Sequence, residues 1–329
     1  MKKHFLILLS LFAGVIPAFS QIMPDNSVQV VAYWNLGDKY DYQIENTKYR
    51  IERGDTTIME MSAKLLEFEV VGADEEKGYL VKVTTLDSQY SNPTQAAISE
   101  KWTEYFGEDV QYFETNPLGY FLRVLPVEGL EKKTKALAKD ITDVLIKNNP
   151  GVDRAPVQAV ISQLLSPEAI QASTEAELRP LFFYHGARLD FDREYNFVEE
   201  VPSLWGNGNI KMNASFWADK EYTDEVSVVL HMQGKADDEQ LKPLLISLLS
   251  SAVNAISQNE RLNDEVAPAI QEAVDNAKLS MDDYQFEEVY LGSGWPLTWV
   301  LNRSMKFEIG DKEREEVLVK TIEMLPEEE

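Results

Sequence analysis

The sequence predicts an α+β protein, in which a curved antiparallel β-sheet or half-barrels pack against amphipathic helices. Three observations carry that prediction. Apolar and polar residues alternate with period two through several stretches, and short glycine- or proline-containing turns join those stretches. Two blocks then switch to the spacing of an amphipathic helix. Hairpin turns outnumber helical crossovers, so parallel βαβ units fit poorly.

The first strand starts at Gly37-Asp38, with Tyr40, Tyr42 and Ile44 on one face and Lys39, Asp41, Gln43 and Glu45 on the other. Tyr49 and Ile51 continue it to the turn Arg53-Gly54-Asp55. Leu66, Phe68 and Val70 repeat the alternation, a charged turn follows over Gly72 to Gly78, and Tyr79, Val81 and Val83 form the return strand. Asn92-Pro93 ends this meander, and Thr94 to Phe106 reads as a short helix or a lid-like loop. Val110 to Glu114 and Tyr120 to Leu125 flank the hairpin signal Asn116-Pro117-Leu118-Gly119.

The period then changes. Leu130, Leu137, Ile141, Val144 and Leu145 share one helical stripe, stopped by Asn148-Asn149-Pro150-Gly151. A second helix starts near Pro156, and Ser166-Pro167 supplies an N-cap and a first-turn proline for a third over Glu168 to Leu178. Leu181 to Tyr184, Tyr195 to Val198, Ile210 to Phe216 and Val226 to Met232 read as strands, the last broken by Gly234. Leu241 to Ile256 is a strong helical stripe, and Val266, Ile270, Val274 and Ala277 give it a companion. Tyr284 to Leu291, Met305 to Ile309 and Val317 to Met324 close the chain as strands. The order strands, helices, strands, helices, strands fits two related halves, and it fits one long sheet equally well.

Lys2 and Lys3 precede the apolar stretch Phe5 to Phe19, and Ala18-Phe19-Ser20 is a small-x-small processing pattern. Residues 1–20 therefore read as a signal peptide, with cleavage freeing Gln21, a residue able to cyclise. Residues 21–178 form the first strand-and-helix unit, and 179–329 the second strand-helix-strand unit, with a sheet free to run through both. The expected location is periplasmic or secreted. No later stretch is apolar enough to span a bilayer, because Leu241 to Ile256 is interrupted by Lys242, Ser247, Ser250, Ser251 and Asn254. The chain has no cysteine, so its stability comes from an ordinary core rather than disulfides. Its 31 basic and 56 acidic residues give a net charge of −25, which repels nucleic acid and anionic headgroups.

Aromatic residues are the leading candidates for ligand contact. Trp295 and Trp299 follow Gly292-Ser293-Gly294, and residues four apart in an extended stretch share a face, so the pair can line one pocket or cap the core. Trp205 sits at a glycine-rich turn where it can form a rim contact. Trp102 and Tyr105, with Tyr90 and Phe106, occupy the least regular segment and can form a mobile cover or pack a short helix. Trp34 reads as core. The acidic run Asp237-Asp238-Glu239 suits a helix N-terminus. Asp282-Asp283 and the pair Asp219 and Glu221 lack the spacing of an EF-hand calcium loop. His185 and His231 form no HExxH pattern, and Ser293 sits in no GxSxG elbow. These absences give no catalytic residue, no metal site and no cofactor.

With Ala18-Phe19-Ser20-Gln21, Gly37-Asp38-Lys39-Tyr40, Asn116-Pro117-Leu118-Gly119-Tyr120 and Gly294-Trp295-Pro296-Leu297 taken together, the chain resembles exported proteins of unassigned function from Bacteroidota-type bacteria. That resemblance implies a periplasmic or secreted product. The architecture is also similar to lipoprotein-carrier half-barrels, in which a curved antiparallel sheet surrounds apolar cargo beside helices. The expected function is an exported, noncatalytic binding or carrier protein for an apolar or amphipathic ligand. Expected partners are accordingly an apolar small molecule, a lipid or an envelope protein. Two other classes stay open: a structural or protein-interaction module of the cell envelope, and a carboxylate-dependent hydrolase with two acids facing each other across a cleft.

Overall fold

A computed structural model of the chain describes residues 21–326 except 128, 149–150, 152, 203–208, 257–271, 273 and 311. The expected signal peptide, Trp205, and Val266 and Ile270 of the companion helix lie outside the described residues.

Strands β1 (Ile22–Met23) and β2 (Ser27–Gln29) precede a long meander of β3 (Lys39–Glu52), β4 (Asp55–Asp74) and β5 (Gly78–Tyr90). Helix α1 (Pro93–Phe106), strands β6 (Asp109–Thr115) and β7 (Phe121–Val124), and helices α2 (Leu130–Asn148), α3 (Arg154–Leu164) and α4 (Pro167–Leu178) follow. A 3₁₀ turn (Arg179–Phe182) then leads to β8 (Arg188–Asp190), β9 (Tyr195–Pro202), β10 (Asn209–Asp219) and β11 (Ser227–Ala236). Helix α5 (Asp238–Ile256) and strands β12 (Lys278–Tyr290), β13 (Pro296–Ile309) and β14 (Lys312–Met324) complete the order.

Eleven strands form one antiparallel sheet in the order β7-β6-β5-β4-β3-β14-β13-β12-β11-β10-β9. The last strand pairs with the first long one, Ile322 opposite Ile44, so a single sheet runs through both strand blocks. β1, β2 and β8 make a separate three-stranded sheet. The Arg53-Gly54 turn has φ of 55° and 85°, the double left-handed conformation that matches hairpin twist, and it lets β3 and β4 run on to Glu52 and Asp55.

One face of the large sheet carries the core. Tyr42, Ile44, Phe68, Phe113 and Trp299 point there, and Leu178 of α4 and Phe182 of the 3₁₀ turn close over them. At the other end Ile210, Met212, Met281 and Met305 meet Leu241 of α5. Each such side chain contributes on the order of 1.5–3 kcal/mol by leaving water. The opposite face is wet, as the cross-strand pair Lys39 and Glu67 (3.1 Å) shows. The fold is thus α+β, with a large antiparallel sheet packed against several helices.

Several local expectations change. Leu181 and Phe182 belong to the 3₁₀ turn and not to a strand, because Pro180 at its start cannot donate to a ladder. Gly234 does not break β11. It stays paired with Asp283 and Ala214, and a Cβ there would lie 3.0 Å from Met212 Cε, so its smallness serves packing. The strand expected from Met305 begins at Pro296, and those expected from Tyr284 and Val317 begin at Lys278 and Lys312. Polar residues obscured the starts of β12 and β14, whereas β13 opens on the largely apolar run Pro296 to Leu301, which lacks the period-two alternation.

Candidate ligand cleft

Helix α1 forms because its ends are well marked. The Thr94 amide donates to Asn92 Oδ1 (2.9 Å), Pro93 occupies the first turn, and the Gly107 amide donates to Thr103 O (2.8 Å). No residue of α1 is fully buried. It is held against the sheet by polar contacts: Ser99 Oγ meets Ser88 Oγ at 3.1 Å, and the Gln95 amide donates to Glu60. On the other flank Tyr105 donates to Asp140 of α2 (2.7 Å).

This loose seat leaves a cleft of about 1000 Å³ between α1 and β5, walled by Leu86, Tyr90, Ala96, Ile98 and Trp102 with acids and amides at its mouth. A second chamber of about 290 Å³ continues under α3 and α4, lined by Leu66, Val83, Leu164, Leu165, Ile170 and Leu178. The two share Lys64, Thr85, Trp102 and Asp109. Trp102 therefore stands at their junction, its ring stacked on Phe106 (centroids 4.3 Å apart). Its buried Nε1–H has no hydrogen-bond partner, and neither has the buried Oε1 of Gln95. Unpaired buried polar atoms are costly, and a ligand group that reached them would recover that cost.

The floor of the inner chamber is ionic. Lys64 and Glu177 line it, Lys64 Nζ donating to both oxygens of Glu177 (3.2 and 3.1 Å), while Lys320, which lines neither chamber, lies behind them with its Nζ 3.9 Å from the same carboxylate and 5.7 Å from the Trp299 ring centre. Burial opposes the Lys64 charge, but Glu177 outweighs it and the pKa rises. Burial likewise works against the Glu177 charge, and Lys64 and Lys320 overcome it, holding the carboxyl below its ordinary value. For Lys320 burial prevails and the pKa falls.

The sequence candidates divide sharply. Trp102 lines the cleft. Tyr105 turns to α2 and braces α1. Trp295 and Trp299 do share a face, but they are 0% and 3% exposed and line none of the described cavities. Trp295 stacks on Trp34 at 4.3 Å inside the aromatic core, so the expectation of an open pocket there is corrected. The N-terminal segment fills the space: Gly294 has φ of +77°, and a Cβ on it would stand 2.3 Å from Val31 O. Trp205 is outside the described residues.

Polar clusters elsewhere are internally satisfied or sealed. Asp283, one of the acids without calcium-loop spacing, is clasped by Arg303, with Nε at 2.7 and 3.0 Å from its oxygens. Asp219 serves His231, whose Nε2 is 3.3 Å away and whose Nδ1 accepts from Tyr284 (2.8 Å). Burial lowers the His231 pKa against the pull of Asp219. None of Asp219, His231 and Tyr284 lines a described cavity. His185 is 2% exposed. Among the described residues no group of three or more His, Cys, Asp or Glu is placed to hold a metal ion. Nor is any described helix long and apolar enough to cross a membrane.

Sequence reasoning missed Lys64 and Glu177, which line the inner chamber, and Lys320 behind them. The signal was present: Lys64 shares the inward parity of Leu66 and Phe68, and Lys320 that of Ile322. A lysine on an apolar parity marks a charge that must be paired or used.

No protein-family model and no curated protein matches the sequence. Among solved structures, one titled as describing lipid–protein interactions in lipovitellin aligns with 89% of this chain at 6% identity and a TM-score of 0.45. The chain spans only 25% of that lipovitellin chain. A mutant Rh. blastica porin aligns with 87% of this chain and all (100%) of its own, at 8% identity and a TM-score of 0.21. A loop-deletion mutant of OmpT, an outer membrane protein of Vibrio cholerae, aligns with 88% of this chain and 100% of its own, at 8% identity and a TM-score of 0.17. Scores this low carry no argument about function.

Proposed function

We propose that this chain is an exported, noncatalytic binding or carrier protein whose ligand is apolar or amphipathic and lodges beneath α1. The observation that carries the reading is the pair of adjoining chambers that meet at Trp102. The outer cleft alone has the volume of a small-molecule site, and an aromatic side chain with an unpaired N–H stands at the waist. The mixed lining, in which Leu164, Leu165 and Ile170 of the inner chamber stand beside Lys64, Thr174 and Glu177, suits a molecule with a greasy part and a polar part.

The hydrolase alternative would draw on Asp87 and Asp109, which line the outer cleft. Both already accept from neighbours: Asp87 from the Ser88 amide and Gln89, Asp109 from Thr85 and Gln111. That is the usual duty of strand-end acids. The interaction-module reading draws on a different place, the tip of the β3–β4 hairpin, where Ile58, Met59 and Met61 are each about half exposed (56%, 47% and 47%).

Enhancement of N-phenylnaphthylamine fluorescence tests the carrier reading. The probe should light up in the native protein, and Trp102→Ala should weaken binding by roughly tenfold, about 1.4 kcal/mol, while leaving the far-UV spectrum unchanged. An unresponsive probe, or full binding by the Trp102 variant, removes the cleft as the site.

A further inference from the structure

We propose a second binding site, for a neutral glycan, on the wet face of the sheet at its β9 edge. Strand pairing lays the surface out in rows. Trp217 stands beside His231; the next row runs Asn196, Ser215 and Gln233 across β9, β10 and β11, and the one after it Val198, Asn213 and Lys235. Ser215 is short and nearly buried while Asn196, Asn213 and Gln233 around it are exposed, so the surface dips there. A depression of about 610 Å³ lies over the dip, lined by Asn196, Val198, Asn213, Ser215, Gln233 and Lys235. A second, of about 400 Å³, lies between Trp217 and residues 191–194, and Gln233 lines both. The site is at the opposite end of the sheet from β5 and the cleft under α1, so it does not depend on the carrier reading.

Trp217 is a braced platform. His231 stacks on it, with ring centres 5.1 Å apart and planes 26° from parallel, and His231 is itself held by Asp219 at Nε2 (3.3 Å) and by the Tyr284 hydroxyl at Nδ1 (2.8 Å). His231 lies on the β11 side of the indole, and the depression against residues 191–194 lies on the β9 side. The C–H groups on one face of a pyranose are slightly positive and pack on the negative face of an aromatic ring. Beside this platform, the side chains of Asn196, Asn213, Ser215 and Gln233 take no hydrogen-bond partner among the described residues. Each amide offers an acceptor and two donors, which matches sugar hydroxyls that donate and accept at once. The charged residues lining the two depressions, Asp192, Arg193, Glu194 and Lys235, cancel. Arg193 already lies over the Tyr195 ring (4.8 Å), and Lys235 faces Asp282 (3.8 Å), so neither cation waits for an anion. The net charge of −25 further disfavours an acidic glycan.

Isothermal titration of the full-length protein with maltoheptaose, laminariheptaose and xylohexaose, and with trigalacturonate as the acidic counterpart, tests the site. At least one neutral oligosaccharide should bind, and trigalacturonate should not. Trp217→Ala should weaken that binding by about tenfold or more, and Trp217→Phe, which keeps an aromatic face, should restore part of it. Gln233→Ala changes an exposed side chain that lines both depressions and leaves the Trp217 stack in place; it should weaken binding several-fold even if Trp217→Ala fails to fold. No heat from any of the neutral oligosaccharides, binding undiminished in a folded Trp217→Ala or in Gln233→Ala, or trigalacturonate bound as tightly as the neutral chains, each overturns the assignment. N-phenylnaphthylamine binding under α1 is a separate measurement, and neither result bears on the other.

Discussion

Acid should destabilise this protein through one residue, His185, before its carboxylates are neutralised. The His185 ring is wedged between Trp34 and Phe182, with centroids 5.9 and 5.4 Å away. Its Nε2 is 2.6 Å from the Gly294 carbonyl, and since a carbonyl only accepts, the ring proton sits on Nε2. Nδ1 is buried without a partner. Burial lowers the pKa from 6.5 to about 4, against the opposing pull of the Gly294 and Phe182 carbonyls. The sign follows directly. The unfolded chain takes up a proton below 6.5 and the folded one refuses it until about 4, so this contribution is complete above 6.5 and is lost as pH falls to about 4. That interval is worth about 3 kcal/mol, a large share of the roughly 5–15 kcal/mol that separates folded from unfolded domains. Urea denaturation of native protein and of His185→Gln at a series of pH values measures it. Glutamine keeps an amide donor for Gly294 and does not titrate. Whatever constant penalty it brings, the stability difference between the two proteins should shift by about 3 kcal/mol across this window, in favour of the variant at the acid end. Parallel stability curves would refute the reasoning, because a ring that titrates normally is not sealed in this core.

Two further predictions concern the buried carboxylates Asp283 and Glu287. Arg303→Met leaves Asp283, whose side chain is 2% exposed, without its cation, and should cost about 3–5 kcal/mol; the pair replacement Arg303→Met with Asp283→Leu should recover most of it, as a double-mutant cycle in urea will show. A cost under about 1 kcal/mol for the single change would mean that water reaches the pair. Glu287 is 1% exposed and neither carboxyl oxygen has a partner, so burial pushes its pKa well up. Its contribution is full below the ordinary carboxyl value and is lost as pH rises toward the raised one; Glu287→Gln should therefore flatten the melting temperature against pH and raise it at neutral pH, and an unchanged slope would contradict this.

The sheet was legible because period-two patterning and turn chemistry agreed. Arg53-Gly54 and the capped ends of α1 and α4 are local signals, and local signals survive without tertiary information. The joining of the two blocks through β14 and β3 was not legible, since no local feature of Ile322 says that it faces Ile44. The candidate cleft was legible only at Trp102. Trp295 and Trp102 are the same residue type beside breaks in the pattern, and only the three-dimensional path of Val30 to Trp34 across Gly294 seals one and leaves the other open. An inward lysine would have been the better guide, because Lys64 lines both chambers and breaks an apolar parity that Trp295 satisfies.

If the cleft is the site, its ligand enters past α1, and that route can be locked. α1 buries no residue completely and touches β5 through Ser88 and Ser99, whose hydroxyls are 3.1 Å apart. Hydroxyls that close leave the two Cβ atoms no more than about 6 Å apart, a gap that a small movement of the loosely seated α1 brings to the roughly 4 Å of a disulfide, and the chain holds no other cysteine to compete. Ser88→Cys with Ser99→Cys should therefore oxidise to a single cross-link pinning α1 to the sheet. A lock that stops α1 from lifting slows both arrival and departure and leaves the bound complex as it was. Stopped-flow exchange of N-phenylnaphthylamine should thus slow by about tenfold or more on oxidation, with the affinity nearly unchanged, and recover on reduction. Equal exchange rates in the oxidised and reduced forms would show that α1 is a fixed wall, and entry would then have to pass between α3 and α4.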